Sequence, residues 1–176
     1  VRESPAEPTQ AAHRSVDQPA HDRDRRTEEI VGSCLKRLDR FRIQVVFAGV
    51  TIANTVGSFR VLETSHPPNY YVSSGDVLED CLTRTGQASF CEWKGTAHYF
   101  DVAVGEAVAP AAAWGYDYPN PAFAAIAGFV AFYPGPMDRC VLGDEEVEPQ
   151  PGGFYGGWIT ANLVGPFNGG PGTQGW

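Results

Sequence analysis

Two short stretches of the chain gather side chains that can do chemistry. The first is Leu62-Glu63-Thr64-Ser65-His66-Pro67-Pro68-Asn69-Tyr70-Tyr71-Val72, with a carboxylate, two hydroxyls, an imidazole and two phenols. The Pro-Pro step fixes two φ angles and drives His66 towards extended backbone, which holds the imidazole and the Ser65 hydroxyl in a defined place. A general base or a ligand-orienting donor needs that kind of placement. A rigid corner between strands, with His66 closing a loop by hydrogen bonding, needs it as well.

The second stretch is Cys91-Glu92-Trp93-Lys94-Gly95. In extended backbone Cys91 and Trp93 face one way and Glu92 and Lys94 the other. A bulge at Gly95 would return Lys94 to the thiol and favour thiolate chemistry. Lys94 can equally meet an anionic group of a ligand. The alternative is a hairpin turn with a buried thiol and a surface Glu–Lys pair. Downstream, Ala113-Trp114-Gly115-Tyr116-Asp117-Tyr118-Pro119 supplies flat aromatic surface for a pocket wall or for core packing.

Strands must carry these residues. Phe41–Phe47 alternates, Ala48-Gly49 turns into Val50–Ile52, Ser58–Glu63 alternates again, and Asn69–Val72 follows the double proline. Thr96–Val104 places His98, Phe100, Val102 and Val104 on one face and Ala97, Tyr99, Asp101 and Ala103 on the other. His98 therefore reads as a core histidine, and Tyr99 and Asp101 as the cleft side. Gly105 turns the chain into Ala107–Ala113. Ser74–Leu78 reads as one helical turn. Asn120 and Pro121 open a short apolar helix over Ala122–Ala127, which Gly128 closes before a strand at Phe129–Tyr133. The fold class is mainly β, with many short antiparallel strands and one short helix.

Outside this body the composition changes. Residues 1–39 read as a polar arm followed by an amphipathic helix over Glu28–Leu38, where Ile30, Val31, Cys34, Leu35 and Leu38 recur at helical spacing after Thr27. Residues 148–176 form a Gly/Pro/aromatic tail. Its Phe154, Tyr155, Trp158, Phe167 and Trp176 are candidate partner-binding anchors, unless the tail is a low-complexity segment.

The net charge is −8, and residues 141–176 hold four acids and no Lys or Arg. An acidic body without a basic stripe argues against nucleic acid and against an anionic membrane surface. The longest apolar run, near Ala122–Tyr133, is too short to span a bilayer. No secretion signal opens the chain, and its first residue is Val1. The expected location is the plastid if the source is eukaryotic, otherwise the cytoplasm, and not outside the cell. Cys34, Cys81, Cys91 and Cys140 form no C-x-x-C pair, so no zinc site is expected. Cys81 and Cys91 can face each other across a hairpin as a disulfide, or all four can be reduced thiols. No phosphate-cradling loop, dinucleotide glycine pattern or H-E-x-x-H stands in the chain, and no cofactor is expected.

Taken in order, RVLETSHPPNYYVSSGDV, CEWKGTAHYFDV, AAAWGYDYPNP and AAIAGFVAFY resemble the family of the domain of unknown function 427, across about residues 40–147. The resemblance implies a β-tent-like fold of two small antiparallel sheets. It also implies recurrent polar positions at Glu63, Ser65, His66, Tyr71, Cys91, Lys94, Gly95, Tyr99, Trp114 and Tyr116. The family's nucleotidyltransferase-like label finds no paired-carboxylate metal site after a Gly-Ser turn here. The tail resembles the extended form of oxygenic phototrophs.

Two functions are compatible with these residues. One is a non-catalytic accessory protein that docks through arm and tail onto a larger, photosynthetic assembly. The other is an enzyme or small-ligand binder. Its pocket would use His66 as base, Cys91 as nucleophile, Lys94 as anion or carbonyl partner and Trp114 as wall.

Overall fold

The computed structural model describes residues 28–30, 34–170 and 172–173, the first three by backbone alone. The polar arm over residues 1–27 and Trp176 lie outside the described residues. Among the described residues fourteen strands run in chain order: β1 (Glu28–Ile30), β2 (Leu35–Leu38), β3 (Ile43–Phe47), β4 (Val50–Thr55), β5 (Ser58–Val61), β6 (Asn69–Ser73), β7 (Leu82–Cys91), β8 (Gly95–Val104), β9 (Ala107–Gly115), β10 (Phe129–Phe132), β11 (Arg139–Leu142), β12 (Glu145–Glu146), β13 (Glu148–Pro149) and β14 (Trp158–Ile159). One sheet has eight strands in the order β1-β2-β5-β6-β10-β9-β8-β7. A second has four, β12-β11-β3-β4, and β13 with β14 makes a two-stranded ribbon. Every named strand pair is antiparallel. The fold is mainly β, as the alternation of apolar side chains implies, but one of its two main sheets is large.

Among the described residues the helix expected over Glu28–Leu38 is replaced by strands, β1 and then β2, with β2 paired to β5 from Leu35↔Val61 to Leu38↔Ser58. The reason lies in the two faces of the large sheet. Residues three apart on a strand point to opposite sides. Leu35 is buried in the cluster on one face and Leu38 in the cluster on the other. An i, i+3 pair of leucines mimics a helix stripe when both faces of a strand are covered.

The main core lies between the two sheets. Ile43, Val45 and Phe47 of β3 and Ile52 of β4 meet Tyr70, Val72, Val102, Val130 and Phe132 of the large sheet. The opposite face of that sheet carries a smaller aromatic core of Phe59, Val61, Tyr71, Trp114, Tyr116 and Ala131, covered by Phe123 and Ile126. Those last two come from a 3-10 helix over Pro121–Ile126, where an apolar helix was expected. Ser74–Asp76 forms a further 3-10 turn. Asn120 does not cap its helix by its side chain. Its amide donates instead to the carbonyls of Glu92 (3.2 Å) and Trp93 (2.9 Å), and its N–H to that of Lys94 (3.0 Å). Asn120 thus pins the turn between β7 and β8.

Candidate functional site

The large sheet sets the geometry. Phe59↔Tyr71, Tyr71↔Ala131, Ala131↔Trp114 and Trp114↔Tyr99 are successive cross-strand partners, so these side chains form one row across β5, β6, β10, β9 and β8. The Trp114 indole donates to the Tyr71 hydroxyl at 3.2 Å, and its ring centroid lies 4.6 Å from that of Tyr133. Tyr71, Trp114 and Tyr116 are all buried. Burial pushes the Tyr71 phenol well above its ordinary value, and Tyr116 nearby adds to this. Tyr116 is raised likewise by burial, then by Cys91 and Glu63. None of these three residues lines the cavity that Glu63, His66 and Lys94 share.

The cleft itself opens where the end of β5 meets the β7–β8 turn. A cavity of about 340 Å³ is lined by Glu63, Thr64 and His66 from one side, Glu92, Trp93 and Lys94 from the other, with Cys34, Leu62 and Phe123. Lys94 is buried and makes an ion pair and hydrogen bond with the Glu63 carboxylate. The side chain of Lys94 is 7% exposed and that of Glu63 34%, so the carboxylate is the outer member of the pair.

His66 is held by the tail. Gln150 Nε2 lies 2.9 Å from His66 Nδ1 and also donates to the Asn168 carbonyl at 2.6 Å. Gln150 Oε1 accepts from the Gly157 N–H at 3.2 Å, which fixes the amide orientation. In that orientation the Gln150 amide nitrogen is the donor towards His66 Nδ1. The ring centroid of Tyr155 lies 4.2 Å from that of His66, and the Asn168 amide lies 3.5 Å from Nε2. Pro-Pro does place His66, but the tail completes the placement.

Other residues of the expected pocket go elsewhere. Ser65 is exposed with φ 60°, and its carbonyl accepts from the Asn168 N–H. Tyr99 lines a separate, more open cavity of about 750 Å³ with Tyr133, Phe154 and Tyr155, and its hydroxyl lies 2.8 Å from Ser89 Oγ. Cys91, half-buried, is paired with Gly95 at the end of β7 and lies outside the lining of the cleft. No hydrogen bond joins it to His66 or Lys94 among the described residues. The thiol in the cleft is that of Cys34, which the chain places there because the Leu62 N–H donates to the Cys34 carbonyl at 2.8 Å. Reading Leu35–Leu38 as a strand beside β5 would have found it. All four cysteines are thiols. Cys81 and Cys91 flank β7 at its two ends, too far apart for a disulfide.

Of the expected anchors, Trp158 is spent on its own domain. Its indole donates to the Phe132 carbonyl at 3.0 Å, and it packs in the main core beside Tyr70. Tyr155 lies on His66, Phe167 is half-buried and Phe154 is 72% exposed. His98 is buried as expected, its ring edge-on to Phe100 and its Nε2 3.4 Å from Asp117.

No helix among the described residues is long and apolar enough to cross a membrane. Among curated proteins none matches the chain. A family profile matches residues 37–143, which include Glu63, His66, Glu92, Lys94 and Phe123 of the cleft but neither Cys34 nor the tail. On that match the chain belongs to the family of the domain of unknown function DUF427.

Proposed function

We propose that this protein is a small-ligand-binding protein whose site is the cleft of Glu63, His66 and Lys94. One observation carries the reading: a Lys94–Glu63 pair, its ammonium buried, floors a cavity of about 340 Å³ at whose rim the tail holds His66 through Gln150. That volume lies within the range of small-molecule sites, and apolar walls with a few placed polar groups are their usual make-up. The chemistry within reach is hydrogen bonding and proton exchange at His66 and Glu63. A screen of small fragments by protein-observed NMR tests the reading. Shifts should cluster on residues 62–66, 92–94 and 123, and a screen that perturbs none of them removes it.

A second reading is favoured by a different observation, the exposure of Phe154 (72%) and Val164 (91%) on the tail. Apolar side chains so exposed suit docking onto a larger protein assembly. For a tail of the phototroph type, that would be a photosynthetic one in the plastid. Deleting the tail would also remove Trp158 from the core, so the useful variant is Phe154→Ser with Val164→Ser. Loss of co-purification with a large complex on that change supports docking, and unchanged association removes the tail as its anchor.

A further inference from the structure

We propose that the cleft takes a cationic ligand, an amine carried on an apolar or aromatic group. This rests on the ligand-binding reading above and adds the charge of the ligand to it.

Three of the lining residues carry formal charge, Glu63, Glu92 and Lys94. Lys94 is neutralised by its contact with Glu63 and lies beneath it, so an incoming group meets carboxylate before ammonium. Glu92 is exposed and has no ion-pair partner among the described residues. His66 turns its Nδ1 to the Gln150 amide. Glu63, Glu92 and Lys94 together therefore carry one surplus negative charge, at the outer edge of the lining.

The walls agree with a cation. Trp93, 63% exposed, and Phe123 present aromatic side chains to the same cavity. Aromatic faces attract an ammonium group through the ring quadrupole, and Trp does so best. Asn120 holds the turn that carries both Glu92 and Trp93, so the backbone bearing carboxylate and indole is fixed at one place. An anion would have to displace Glu63 from Lys94 and leave that carboxylate without its partner.

Three probes of one shape and different charge decide the matter: benzylamine, benzyl alcohol and benzoate, titrated into the full chain by NMR. Benzylamine should bind about tenfold tighter than benzyl alcohol, and benzoate weakest. Glu92→Gln, at an exposed position, should cut the preference for benzylamine over benzyl alcohol. Equal binding of all three, or tightest binding of benzoate, overturns the cationic assignment and leaves the ligand-binding reading standing. If none of the three moves residues 62–66, 92–94 or 123, both fall together.

Discussion

Gln150 reaches His66 across 84 positions of sequence, its Nε2 2.9 Å from the imidazole Nδ1. The same amide serves the Asn168 carbonyl and the Gly157 N–H, so one side chain gathers the tail at two points and ties it to the Pro-Pro loop at a third. Gln150→Leu should leave the buried Gly157 N–H and the Asn168 carbonyl without partners, a loss of about 1–3 kcal/mol. Urea unfolding would show this as a lower midpoint at unchanged slope, and His66 resonances should broaden or shift.

Glycine at position 156 is required by Trp114. A Cβ there would overlap Trp114 Cη2 and come within 2.6 Å of Cζ3, and that ring is buried. Gly156→Ala should destabilise the fold by about 1–3 kcal/mol through overpacking. Gly86 has nothing within 4 Å of the same atom and no positive φ, so Gly86→Ala should be neutral or slightly stabilising. Thermal melts of the two variants give the comparison.

The Lys94–Glu63 pair is unequal in depth, and its two halves should be unequal in cost. Glu63→Gln strands an ammonium that is 7% exposed, a loss of about 3–5 kcal/mol for a broken buried pair. Lys94→Met leaves a carboxylate that water still reaches, and should cost less. The double variant should cost less than the sum, which a double-mutant cycle by chemical denaturation measures.

The four thiols should divide two and two. Burial raises the Cys81 and Cys140 thiols above their ordinary range, while Cys34 and Cys91 are partly exposed. A thiol reagent at neutral pH should titrate two groups quickly and the other two only on unfolding. Cys34→Ser and Cys91→Ser should each remove one fast equivalent.

Stability should fall on acidification through His98. Its pKa is lowered from 6.5 by burial, an effect that Asp117 opposes and Arg84 reinforces. A lowered histidine pKa means that the unfolded chain binds the proton first. Stability from this residue is complete above about pH 6.5 and drains away as the pH falls below it. Melting temperatures from pH 7.5 to 5 should show a shallower decline in His98→Gln than in the parent chain.

Much of the sheet was legible because alternation is a local property. The faces of Thr96–Val104 follow from side-chain order alone, and Ala97 and Val102 do fall in opposite cores. Leu35 and Leu38 misled because their spacing fits a helix stripe unless both faces of a strand are covered. In the cleft, Glu63, His66 and Lys94 could be named because each sits in a short stretch dense in polar types. Cys34 could not, since only the pairing of β2 with β5 brings it beside Leu62. The role of Gln150 was hidden for the same reason: nothing near it in sequence announces His66.

The burial of Trp158 separates ancestry from autonomy. The inherited pattern ends at residue 143, yet the indole that fills the space between Tyr70 and the Phe132 carbonyl comes from beyond that limit. A fragment trimmed to the shared pattern would keep the recognisable motif and lose a keystone of its interior. The segment beyond residue 143 is structural masonry here, so any attempt to shorten the protein must first refill the hole that Trp158 would leave.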